Sequence, residues 1–277
     1  MASVIDADAA VTTGGPDFAE QAAKRAGVVV REASAADVRG ISDVLRQNWG
    51  SDVGPDPSVL QAVAHAGNTV LVAFDAAGPD GACGRAPVGA SVGFLGWSGG
   101  IHVHSHMTAI MPGRTSAGIG YALKLRQREI CLEHAIDEIR WTFDPLIRRN
   151  ARFDLVKLGA EIAAYHPDFY GALDDEINGN DRTDRFELRW RLNSPRVKAA
   201  LEHRPQPEWP GEDGLALEPD FETLRREHPD AAIARRAESA VAFADCFARG
   251  LRPELTTRGD YVFTAANPDT AAAPVRV

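Results

Sequence analysis

The stretch that decides the fold runs Ile101-His102-Val103-His104-Ser105-His106-Met107-Thr108-Ala109-Ile110-Met111-Pro112 and resumes at Gly118-Ile119-Gly120-Tyr121-Ala122-Leu123-Lys124. Its first part is rich in β-formers and follows Gly99-Gly100, so it predicts a strand over Ile101–Ile110. Its second part opens a long helix, Ser116 to Glu133, with Ile119, Leu123, Leu125, Ile130 and Leu132 at apolar positions. A strand that runs through a glycine-rich turn into a helix is the unit around which the remaining segments arrange themselves.

Upstream, Val28–Arg31 predicts a strand and Ser34–Gly50 a helix with Val38, Ile41, Val44 and Leu45 on one face. Thr69–Phe74 and Val88–Leu95 are two further strands separated by the Gly- and Pro-containing segment Gly78–Pro87, which makes an antiparallel meander. Downstream come a buried strand at Ile139–Phe143 and a helix over Ile147–Leu158 that stops at Gly159. Strands at Ala160–Tyr165 and Arg185–Leu192 follow. The order β-α-β-β-β-α-β-α-β-β predicts an α+β domain over 28–192, with a mixed, mostly antiparallel sheet flanked by helices. Residues 1–27, small and acidic and broken at Thr12–Pro16, read as a flexible tail with room for one short helix. The Pro- and charge-rich 193–214 reads as a linker, and 215–277 as a small helical C-terminal extension, Phe221–Arg249 carrying the helical pattern.

Composition narrows the function classes. With 277 residues, 44% hydrophobic and 25% charged, the chain has an ordinary globular makeup. A net charge of -9 opposes attraction to a phosphate backbone and excludes nucleic acid as the expected partner. Cys83, Cys131 and Cys246 have neither disulfide nor zinc-ligand spacing. Met1–Ala23 lacks a signal pattern and no apolar run is long enough to span a bilayer, so a cytoplasmic protein without membrane partner is expected.

Several pieces together are more specific than any one: Ser105-His106-Met107, Gly118-Ile119-Gly120-Tyr121-Ala122-Leu123-Lys124, Gln127-Arg128, Trp141-Thr142-Phe143-Asp144-Pro145-Leu146, Asn150-Ala151 and Lys157-Leu158-Gly159-Ala160. With the element order over 28–192 they resemble the GNAT (GCN5-related N-acetyltransferase) superfamily, in a subgroup of predicted acyltransferases. The resemblance implies an enzyme that transfers an acyl group from acyl-CoA, acetyl-CoA or succinyl-CoA, to an amino acid or small amine by direct transfer. A noncatalytic CoA-binding or regulatory module of the same fold is the alternative. A homodimer is the base-rate expectation.

The same resemblance assigns a CoA site to Thr108, Ala109 and Ile110, whose backbone would meet the pantetheine arm, to the loop Arg114, Thr115, Ser116, Ala117, Gly118, Ile119 and Gly120, and to Asn150. The physical reason for the loop is independent of any family. Glycines let the backbone approach a pyrophosphate, and the first turn of a helix offers amides without intrahelical partners. The family pattern carries Arg or Gln where Thr115 stands; Arg114, one residue earlier, is the cation available for a phosphate.

An amine attacks a thioester as the free base, so a proton acceptor is needed. His102, His104 and His106 alternate along the predicted strand and share one face; His106, nearest the thioester region, is the first catalytic choice. Those three imidazoles do not converge readily on one ion, and no metal is expected. The tyrosine that protonates the thiolate in many family members corresponds to Leu155 here, which leaves Tyr165 and Tyr170 as substitutes. Trp141 and Phe143 are placed on the cleft wall, and Arg148 is the substrate-binding choice for a carboxylate.

Overall fold

The computed structural model describes residues 17–50, 54–76, 86–115, 117–171, 181–211 and 213–271; Ser116 lies outside them. The strands of the main sheet are β1 (Val28–Glu32), β2 (Val70–Asp75), β3 (Gly89–Gly96), β4 (His102–Ile110), β5 (Glu138–Phe143), β6 (Glu161–His166) and β7 (Arg185–Arg191). The predicted strands all form, within a residue or two of their expected ends. The helices are α1 (Phe18–Ala26), α2 (Val38–Trp49), α3 (Pro57–His65), α4 (Ile119–Glu133) and α5 (Arg148–Ala151), which continues as a π-helix over Arg152–Lys157. Then come α6 (Pro195–Leu201), α7 (Phe221–Glu227), α8 (Pro229–Ala248) and α9 (Pro268–Ala271), and a second sheet of β8 (Gly214–Leu215), β9 (Arg252–Leu255) and β10 (Tyr261–Thr264).

Four expectations need correction. The helix expected from Ser116 begins at Ile119, because Gly118 takes a left-handed conformation (φ 86°) that no regular helix contains. Residues 18–26 form the one short helix for which the tail had room, but packed rather than frayed: α1 is capped by Asp17 and buries Ala19 and Ala22 in the core. The supposed linker contains α6, capped by Ser194 with Pro195 in its first turn, and buries Val197 and Leu201. The C-terminal extension is not purely helical, since β8, β10 and β9 pair there as an antiparallel sheet.

The main sheet has the order β1-β2-β3-β4-β5-β7-β6, and the β4–β5 contact is parallel among antiparallel neighbours. Over β1–β4, one face packs Val70, Val72, Met107 and Ala109 under α2 and α3. The other face carries the larger core, from α1 and α4 across Trp141, Phe186 and Trp190 to Phe243 of α8 and Tyr261 of β10. Phe186 and Phe243 meet at 4.6 Å between ring centroids, Phe186 and Tyr261 at 5.7 Å. A buried side chain of that size stabilises by about 1.5–3 kcal/mol, so the C-terminal residues are fixed to the sheet by its own aromatic core.

Two irregularities make the site. β4 and β5 pair only at Val103↔Ile139 and His104↔Arg140, after which the two strands separate. Beside that opening, the β3–β4 register jumps from Gly93↔Ser105 to Val92↔Met107, which leaves His106 as the extra residue of a bulge. The bulge flips the alternation: before it Val103 joins the core under α4, and after it Met107 and Ala109 join the core under α2.

Candidate active site

The opening is flanked by the β4 segment 105–110, which bonds to β3 on one side and has no β5 partner on the other. Thr108, Ala109 and Ile110 therefore lie on the free half of β4. Thr108 Oγ1 is tied to Ser91 Oγ at 2.9 Å, and the Ile110 carbonyl accepts from Asn48 Nδ2 at 3.1 Å.

The chain then reaches α4 through Thr115, Ala117 and Gly118, all exposed. No side chain caps α4, so the first-turn amides, including those of Ile119 and Gly120, lack side-chain partners among the described residues. The two glycines differ. Gly118 is required by its positive φ, whereas a Cβ on Gly120 would meet nothing within 4 Å. Close packing does not explain Gly120. Asn150 stands half-buried at α5, and its carboxamide has no hydrogen-bond partner among the described residues.

Arg114 already has a carboxylate partner. Its guanidinium grips Asp75 with two bonds of 2.8 and 2.5 Å, and the carboxylate raises the arginine's already high pKa. Arg148 is likewise engaged, donating to the Arg258 carbonyl.

At the apex of the opening sits a group the sequence reading left without a role. Lys124 projects from α4 and is buried. Its Nζ donates to Ser105 Oγ at 2.7 Å and lies 3.9 Å above the Trp141 ring. Ser105 and Trp141 are the first residues of β4 and β5 beyond the last paired couple, so the ammonium bridges the strands where they part. Burial lowers the Lys124 pKa below the ordinary lysine range, with Asp154 pulling the other way; burial raises Asp154 above the carboxylate range. Such an ammonium costs on the order of several kcal/mol to desolvate. Trp141 also packs edge-on against Trp190 at 6.0 Å, and Phe143 packs on Phe186 at 5.9 Å. Both aromatics are core residues, Trp141 alone meeting the apex.

The three histidines divide. The ring of His102 is held by the Gly100 carbonyl at 2.8 Å and fills the space above Gly96. The rings of His104 and His106 lie 6.0 Å apart, both against Phe94. Burial, with His106, His102 and Lys124 adding repulsion, lowers His104 to about 4; burial also lowers His106. Both are neutral bases at pH 7. Among the described residues no group of three or more His, Cys, Asp or Glu side chains is placed to hold a metal ion.

Tyr165 and Tyr170 have opposite fates. Tyr165 is on the outer strand β6, three strand spacings from β4, roughly 14 Å. Its hydroxyl donates to Asp184 Oδ2 at 2.5 Å, so burial and that carboxylate both raise its pKa. Tyr170 instead comes to β5, its hydroxyl 3.3 Å from Thr142 Oγ1 and Arg185 stacked over its ring at 5.3 Å. Leu155 is buried in the core and supplies no acid.

Behind the end of β5 lies a buried charge cluster. Arg236 of α8 holds Asp144 with two bonds of 2.7 Å and Asp181 at 2.7 Å. Burial would raise the Asp144 pKa, but Arg236 outweighs it and holds the carboxylate low. Tyr261 donates to the Pro145 carbonyl at 2.9 Å, so α8 and β10 together fix the turn that leaves β5.

No family model matches the chain, and no curated protein does. Among solved structures it is similar to Arabidopsis thaliana Naa50 in complex with a CoA bisubstrate analogue, at 18% identity over 59% of this chain and 97% of that one (TM-score 0.46). It is similar to Chaetomium thermophilum Naa20, also with a bisubstrate analogue, at 16% identity over 64% and 92% (TM-score 0.46). It is similar to the ribosomal-protein-S18-alanine N-acetyltransferase of Escherichia coli at 9% identity over 60% and 94% (TM-score 0.46).

Proposed function

We propose that this chain is a GNAT-type acyltransferase that moves an acetyl or succinyl group from CoA to the nitrogen of an amino acid or small amine. The observation that carries the reading is the opening between β4 and β5, bulged at His106 and leading directly to the uncapped Gly118-Ile119-Gly120 turn. A CoA thioester needs an extended slot with free backbone groups for its arm and orphan amides for its pyrophosphate. The free half of β4 and the first turn of α4 offer both in sequence. Macrodipole and amides together favour an anion at such a turn by about 0.3–2 kcal/mol, so the arm must contribute most of the affinity.

His106 is the proposed base, because its ring is exposed to an incoming acceptor at the bulge and its pKa lies below the ordinary histidine value, so the imidazole is neutral. The acceptor would enter on the face shared by His104, His106, Thr142 and Tyr170, where Arg185 offers a cation for a carboxylate. Binding is tested by thermal unfolding with acetyl-, propionyl- and succinyl-CoA. A ligand at 100 times its Kd stabilises by about 2.7 kcal/mol, and Gly118→Trp should abolish the shift. No shift with any CoA ester in the unmodified chain would refute the reading.

A further inference from the structure

The core face of α4 is built from Ile119, Ala122, Leu123, Leu125, Ile130 and Cys131, and two polar side chains interrupt it, Gln127, which donates to Thr69 Oγ1, and Lys124. An ammonium buried there has to be explained, because neither of its two contacts is a carboxylate. Ser105 Oγ is a neutral acceptor at 2.7 Å, and Trp141 offers only its ring face. Asp154, buried on the π-helix, acts on Lys124 through space with no ion-pair contact between them among the described residues. An ammonium has three N–H donors. Ser105 takes one and the indole face attracts another, which leaves one for the opening between the strands.

Resting on the reading of that opening as the thioester slot, we propose that Lys124 is the acid that protonates the sulfur of the departing CoA, in a chain whose π-helix carries Leu155 at the position that the resemblance gives to that acid. The chemistry balances. As the acceptor nitrogen bonds to the acyl carbon, the C–S bond breaks and its electron pair stays on sulfur. Lys124 Nζ gives a proton to that sulfur, yielding the free thiol, and is left as a neutral amine. The proton shed by the acceptor nitrogen is taken by His106 and passes to solvent, and the neutral amine of Lys124 regains one from solvent after the thiol leaves. Position comes from both strands at once, since Ser105 and Trp141 hold Nζ at the point of separation. Burial lowers the Lys124 pKa toward that of a thiol, which suits an acid that must give up its proton near neutral pH.

The titratable groups that face or act on Lys124 are Asp154 of the π-helix, Cys131 of α4 itself and His104 of β4. Among them Asp154, when ionised, is the group that most opposes the lowering of the Lys124 pKa by burial.

The experiment uses the full chain, Lys124→Met and Asp154→Asn, with two readouts. The first is the thiolate absorbance of bound CoA against pH. The unmodified chain should ionise the bound thiol at lower pH than Lys124→Met does, because only the former holds an ammonium beside it. The second is kcat with acetyl-CoA and with an acetyl thioester of an acidic aryl thiol, whose anion needs no proton. Lys124→Met should lose about 10²–10⁴-fold in kcat with acetyl-CoA, with KM little changed, and most of that loss should vanish with the aryl thioester. Asp154→Asn should fold, keep activity at lower pH and move the alkaline limb of kcat downward. Equal losses on both donors, an unchanged kcat, or identical thiol titration in the two proteins would overturn the proposal. If the unmodified chain shows no stabilisation by CoA, the slot reading fails first and this proposal with it.

Discussion

Replacing Arg236 with methionine removes the only guanidinium that bonds both Asp144 and Asp181 among the described residues. Its side chain is 2% exposed, against 10% for Asp144 and 3% for Asp181, so water cannot replace the lost donors. Arg225, 3.5 and 3.6 Å from the same carboxylates, keeps a Coulomb interaction but makes no hydrogen bond with them. Breaking a buried pair by removing one partner costs about 3–5 kcal/mol. For a domain of this size about 2–4 °C of Tm is lost per kcal/mol, so Arg236→Met should melt roughly 6–20 °C lower. The assay is urea unfolding followed by circular dichroism, with thermal melts alongside. Adding Asp144→Asn and Asp181→Asn to Arg236→Met should recover about half of the loss or more, because neutral amides no longer carry uncompensated charge. A single-variant loss under about 1 kcal/mol, or no recovery in the triple variant, would refute the claim that this cluster clamps the C-terminal residues to β5.

Three further outcomes follow from the geometry. His104 is held neutral down to about 4 against an ordinary 6.5, so the unfolded chain binds more protons in that window; stability should fall as pH drops from about 6.5 toward 4, and His104→Phe should flatten that slope. His106→Gln should lower kcat by about 10²-fold or more and abolish an acid limb lying below the usual histidine range, measured as a pH–rate profile. Gly159→Ala forces a side chain onto φ 70° with its Cβ 3.0 Å from the Arg196 carbonyl oxygen, and should cost about 1–3 kcal/mol in urea unfolding.

The main sheet was legible because its strands carry period-2 or continuous apolar runs punctuated by glycine, and α4 because its glycines announce its start. The N-cap signals of α3 and α6, Asp56-Pro57 and Ser194-Pro195, are equally present, the first in a stretch given no element and the second in the segment read as a linker. β8 and β9 left little trace: one is two residues long and the other contains Pro253. The site divides the same way. Backbone-built features, the free half of β4 and the glycine turn, follow from local sequence. Long-range pairings do not: nothing near Arg114 names Asp75, and Asp144 and Arg236 are 92 residues apart. Lys124 was visible only as a charge out of place on an apolar helix face, a signal that becomes chemical once Ser105 and Trp141 are seen around it.

The most direct measurement of the central claim is thiol release from acetyl-, propionyl- and succinyl-CoA with pooled L- and D-amino acids as acceptors, in the unmodified chain and in Gly118→Trp. The account predicts release that requires an acceptor and disappears when the turn is blocked. Stabilisation by CoA without acceptor-dependent release from any donor would contradict the assignment of transferase activity and leave a CoA-binding module in its place.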